Sequence, residues 1–205
     1  MTEILISFMI ATAALAISPG PDNIFVLAQS IVYGKKKGLA IVAGLMTGCL
    51  VHTSLVAFGV SVILKENQQV FWAIKILGAV YLLYLAYRVY QSDAEIQFSV
   101  KNEKGSKSYG KLFRIGFLMN VLNPKVTLFF LALLPQFLFS PTIAVLWQFY
   151  ILGFLFIVVS FIVFGAIAVF AGQLAKKIRN YPRAGWYLKW LQIIVFVGIA
   201  LFILV

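Results

Sequence analysis

Two ionisable side chains stand inside long apolar stretches of this sequence. Asp22 lies in the run Ser18-Pro19-Gly20-Pro21-Asp22-Asn23, and Lys125 ends the run Asn120-Val121-Leu122-Asn123-Pro124-Lys125. Proline lacks a backbone N–H and clashes with the turn before it, so each run interrupts a helix. Asn123 is a good N-cap and Pro124 suits a first helical position, so a new helix starts there; another starts near Asp22. Fresh helix starts carry unpaired N–H groups and positive partial charge, which together hold an anion such as a carboxylate. Discontinuous helices of this kind mark midplane solute sites in membrane transporters. Pro19, Gly20, Pro21, Asp22, Asn23, Asn123, Pro124 and Lys125 are therefore the candidate substrate-binding and translocation residues. A charge at bilayer depth costs at least about 2.5–3.5 kcal/mol on insertion scales and calls for a partner. Asp22 and Lys125 are expected to pair with each other.

The remaining polar inventory is thin. His52 is the only histidine and Cys49 the only cysteine, so an internal disulfide, a CxxC redox pair and an all-cysteine metal site are excluded. No HExxH, GxSxG, GxxxxGKS or GxGxxG run occurs, Asp22 has no second intramembrane aspartate, and the four or so ligands of a metal site cannot be assembled. The reading is a non-enzyme with no metal and no cofactor. His52 joins Asp22 as a candidate proton relay, with a hydrogen-bonded structural histidine as the equal alternative. Gly44, Gly48 and His52 recur at spacing four on one face, and the GxxxG permits close helix approach. That face packs either within one chain or between the copies of a homodimer. Lys75, near the end of its apolar run, is expected to snorkel.

The elements that must position these residues follow from composition. Of 205 residues 62% are hydrophobic and 11% charged, against roughly 45–50% and about 25% in soluble proteins, which excludes a soluble fold. Apolar runs long enough to cross a bilayer fall at 3–33, 39–64, 70–90, 113–137, 143–175 and 186–205. The first charge is Glu3 and no Lys or Arg precedes Lys35, so the first run reads as a retained span rather than a cleaved signal. Fourteen of the 17 basic residues fall in or beside the first, third and fifth connections: Lys35 to Lys37, Arg88 to Arg114, and Lys176 to Lys189. Basic residues collect on the cytoplasmic side, so the pattern predicts six crossings with both termini outside the cytoplasm. The net charge of +11 is then topology and needs no nucleic-acid partner. Trp72, Trp147, Trp186 and Trp190 all fall near predicted ends, where indoles settle.

The stretch 91–112 is the one long hydrophilic segment and reads as a flexible cytoplasmic linker whose lysines can touch anionic membrane lipids. It separates a three-helix unit, 1–90, from a second, 113–205. An odd number of crossings gives the units opposite orientation, which is the arithmetic of an inverted repeat. The predicted fold class is an all-α integral membrane protein of two inverted three-helix repeats, with the first helix of each broken.

The run Ser18 to Asn23, followed by Gly34-Lys35-Lys36-Lys37-Gly38 and Gly44-Leu45-Met46-Thr47-Gly48, resembles the LysE/RhtB superfamily of amino-acid exporters. Asn123-Pro124-Lys125, Phe129-Phe130 and Pro135-Gln136-Phe137 extend the resemblance over essentially the whole chain. The resemblance implies a bacterial inner-membrane secondary transporter that moves an amino acid or a derivative out of the cell against proton entry. In that reading the solute carboxylate meets the helix starts near Asn23 and Asn123 beside Lys125, and its ammonium meets Asp22. A solute or ion channel of the same architecture is the alternative. A single acidic residue at the site argues against a dibasic solute.

Overall fold

The computed structural model describes residues 1–61, 68–92, 108–181 and 183–204. The described residues form helices and no strand. Helix α1 (Thr2–Ile17) and α2 (Pro21–Tyr33) are separated by the first proline run, and Gly34, at φ +84, turns the chain into α3 (Lys35–Leu55). That φ lies in the left-handed region, open to glycine at no steric cost. A π-helical turn, Val56–Val60, extends α3. Helix α4 spans Gln68–Gln91, α5 Tyr109–Val121 and α6 Pro124–Leu133, which tightens into a 3₁₀ turn, Leu134–Phe137. Helices α7 (Val145–Val169), α8 (Ala171–Asn180) and α9 (Ala184–Leu204) complete the chain.

Both expected breaks are present. The axes of α1 and α2 bend by 60°, and those of α5 and α6 by 51°. Four further helical segments are long and apolar enough to cross a membrane, and each bent pair adds a crossing if it forms one span, giving four to six. Lipid-facing positions such as Leu77, Phe154 and Ile194 stand fully out from the isolated chain, as expected where hydrocarbon replaces water.

Two boundaries differ from expectation. The fifth apolar run was predicted to continue to residue 175, but α7 stops at Val169 and α8 is a separate helix. Beyond Val169 the apolar residues Ala171, Leu174, Ala175 and Ile178 recur at helical spacing among Gln173, Lys176 and Lys177. Such a stripe suits an interfacial helix better than a spanning one. Helix α5 begins at Tyr109, cap-bonded by Ser108, so the end of the stretch predicted as linker is helical. Residues 93–107, and Lys65 with Glu66, lie outside the described residues.

The tightest seam is α3 against α5. A Cβ at Gly44 would run into the Phe113 carbonyl oxygen, one at Gly116 into the Ile41 carbonyl, and one at Gly48 would sit 2.7 Å from Asn120 Oδ1. The GxxxG face therefore packs within the chain, and glycine is what allows the backbones so close. Helix α4 pairs with α9, and α7 lies against α1 and α3. The larger core is centred on Phe129, Phe130, Phe149 and Phe156. A smaller one, around Val26, Ile41, Leu45 and Leu112, fills the lysine-rich end. Lys75 departs from the expected snorkelling. It is buried, with Nζ 4.6 Å from the Trp72 ring centroid, because an aromatic face one turn away offers a cation a seat inside the fold.

Candidate functional site

The two helix breaks meet. Asn123 Nδ2 donates to Asp22 Oδ2 at 2.9 Å, joining the break before α2 to the break before α6. The Asn123 Oδ1 accepts from the backbone N–H of Lys125 at 3.0 Å, so one amide caps α6 and reaches across to the carboxylate. On the other side Asn23 Nδ2 donates to the Ala16 carbonyl at 2.7 Å, satisfying an acceptor that the end of α1 leaves open. Gly20, in extended conformation, and Pro21 begin α2. Pro124 takes the first position of α6, where a missing N–H costs nothing.

Asp22, Asn23, Asn120, Asn123, Lys125 and Ser160 line a small cavity of about 40 Å³ between the breaks. A water needs about 10–15 Å³ of such space, so the cavity has room for water beside its polar groups. Asp22 is buried, and Ser160, more deeply enclosed, has an Oγ without a hydrogen-bond partner among the described residues. A second cavity of about 1290 Å³ lies between α2, α7, α8 and α9. Its walls are mostly apolar, and Lys176, Lys177 and Lys189 border it at the lysine-rich end. Gly20, Pro21 and Asn23 belong to both cavities and form the wall between them. Pro19 lines only the large cavity and Pro124 neither.

Asp22 and Lys125 act on each other electrostatically, as expected, but are not in direct ion-pair contact. The asparagine amide occupies Asp22 Oδ2, and Lys125 Nζ lies 4.8 Å from the centroid of the Phe196 ring. The carboxylate and the ammonium face the same cavity with their direct contact unspent.

His52 lines neither cavity. Its Nε2 donates to the Asn120 carbonyl at 3.1 Å, and its ring stands 5.7 Å from Phe130. Asn120 lies in the last turn before the break. Its carbonyl also accepts from Asn123 N at 3.0 Å, and its Oδ1 receives the Cys49 thiol at 3.7 Å. Sequence reasoning did not select Asn120, Cys49, Ser160 or Phe196 for the site. Asn120 was the findable one, as a second asparagine in the broken run. Nothing local sets Ser160 apart within its span, or Phe196 from the other eighteen phenylalanines. Among the described residues no group of three His, Cys, Asp or Glu side chains could hold a metal ion.

Apolar helices of spanning length, with two bent helix pairs joined through a partly buried polar contact, define a multi-pass membrane protein. Residues 13–205 match the model of the LysE type translocator family, and the chain belongs to that family, whose members are transporters and not enzymes. It is 31% identical over 174 residues to a homoserine/homoserine lactone efflux protein of Salmonella typhimurium, covering 85% of this chain and 83% of the relative. It is similar to two uncharacterized membrane proteins: one of Vibrio cholerae (27% identical over 87% of this chain and 85% of the relative) and YrhP of Bacillus subtilis (33% over 65% and 67%). No solved structure matches the chain.

Proposed function

We propose that this protein is a secondary exporter of a small amino acid or amino-acid derivative, working by proton antiport in a bacterial inner membrane. The observation that carries the reading is the junction of the two helix breaks: Asp22 and Lys125, opposite in charge and not paired, line one buried cavity that adjoins a much larger one. A carboxylate and an ammonium held apart complement the ammonium and carboxylate of a zwitterion. The solute carboxylate meets Lys125 and the starts of α2 and α6, its ammonium meets Asp22, and Asn23 and Asn123 orient both. The name of the Salmonella relative makes homoserine or its lactone the first solute to test.

In this reading the chain crosses six times, with the lysine-rich connections in the cytoplasm and both termini in the periplasm. Residues 1–90 and 113–205 act as inverted repeats joined by the linker 91–112. One helix pairing supports this: α3 packs on α5 and, less extensively, α7 packs on α1, the counterpart contact an inverted repeat requires. The large cavity is the cytoplasmic entrance, with Gly20, Pro21 and Asn23 as the inner gate. Rocking of the repeats closes it and opens the opposite end. Asp22 is the proton relay that couples the two half-cycles. His52, bonded to the Asn120 carbonyl and away from both cavities, positions the break in the second unit.

The test is export of labelled homoserine and other amino acids from loaded cells carrying wild-type protein or Asp22→Asn. Full export with unaltered proton coupling in the variant rejects the assignment. Counterflow in vesicles separates this carrier from a channel, which gives no exchange with trans solute.

A further inference from the structure

Asp22 and Lys125 line one small cavity and attract each other. Direct contact between them would neutralise both poles of the site. Two contacts oppose this. Asn123 Nδ2 engages Asp22 Oδ2, and the ring of Phe196 takes the ammonium, with Nζ 4.8 Å from its centroid. Phe196 is buried in the middle of α9, in the last span, far from either break in sequence. The amine stands against the start of α2, where a Cβ on Gly20 would lie 3.7 Å from Nζ, an ordinary contact.

We propose that Phe196 is a positioning residue whose aromatic face seats the Lys125 ammonium apart from Asp22, keeping both charges available to an incoming zwitterion. The inference rests on the reading of Asp22 and Lys125 as the two poles of the solute site. An aromatic face suits this task better than a carboxylate would. It holds a cation without neutralising it, and releases it when a solute carboxylate offers a stronger partner. An aliphatic side chain of similar bulk fills the same space but offers no seat. This gives α9 a part in recognition although it carries no polar residue at the site.

The test compares wild type with Phe196→Leu, Phe196→Met and Phe196→Tyr, each purified and checked for a monodisperse elution profile. An apolar carbodiimide activates the Asp22 carboxyl group. If the Lys125 amine is in contact it attacks the activated carbon, forming an amide and releasing the carbodiimide as its urea. The product is an Asp22–Lys125 peptide pair lighter by one water, counted by mass spectrometry. The expected result is a crosslinked fraction several times higher in Phe196→Leu and Phe196→Met than in wild type, and unchanged in Phe196→Tyr. In counterflow of L-homoserine, the Leu and Met variants raise KM by about tenfold, the scale of a lost desolvated cation–π contact, with the maximal rate little changed. Equal crosslinking in wild type and both aliphatic variants overturns the proposal, because a ring that merely fills space would not move that number. Failure of the underlying reading is separate: Asp22→Asn with undiminished export refutes the solute site whatever the crosslinking shows.

Discussion

Helices α2 and α6 begin alike and end in different surroundings. Each starts with proline after a residue in extended conformation, and each is bent away from the helix before it, by 60° and 51°. Yet α2 borders the large cavity, with the near end of α9 across the gap, whereas α6 packs against α4. At that second contact a Cβ on Gly78 would collide with the Ala132 side chain. Two equivalent local devices therefore serve an open end and a closed end. The difference teaches that the state of the molecule is set by what packs on the second half-helix of each pair, not by the break.

The largest expected effect comes from the junction the two breaks share. Asp22→Asn keeps the shape and removes the charge, and homoserine counterflow in proteoliposomes should fall at least about a hundredfold, the scale of losing one member of a buried charged contact. A variant that still transports would show that the two breaks meet for structural reasons alone.

The seam that holds the breaks together comes next. Gly44→Leu forces a side chain into the Phe113 backbone, and overpacking of this kind costs about 1–3 kcal/mol. A lower unfolding temperature in detergent is the expected outcome; an unchanged one would mean that α3 and α5 can part without loss.

The open and closed ends can be read directly with thiols. Aligning the two prolines puts Ile24 opposite Thr127. Ile24→Cys, in the wall of the large cavity, should react with a maleimide added at the lysine-rich side, and Thr127→Cys should react far more slowly. Native Cys49, fully buried, is the internal control. Equal labelling at both positions would erase the asymmetry between α2 and α6.

The smallest effect is at His52. His52→Leu removes one interhelical hydrogen bond, worth about 0.6 kcal/mol and at most about 1.7 within membranes, and should lower thermal stability slightly while leaving the pH profile of transport in place. A displaced profile would return His52 to the proton path.

Much of this was legible in the sequence because its causes act over a few residues. Proline removes a donor at its own position, so the breaks at Pro21 and Pro124 could be placed from the sequence. Glycine at spacing four marked the seam of α3. What that seam meets was not legible: Gly44 and Gly48 need Phe113 and Asn120 to be recognised as a contact, and those lie on a helix of the other unit. The end of α7 was misplaced because the hydrophobic run fades gradually into α8, and only the amphipathic stripe from Ala171 to Ile178 separates them.

The sequence by itself determined a membrane-embedded helical chain, the two breaks, and a carboxylate and an ammonium beside them. Tertiary structure alone decided which groups those charges touch. Asp22 and Lys125 looked like partners because opposite charges attract at any separation in sequence. They do act on each other electrostatically, but packing puts Asn123 in direct contact with one and Phe196 beneath the other. Contacts across 101 residues, in the case of Asp22 and Asn123, depend on how helices seat against each other, and no local rule encodes that.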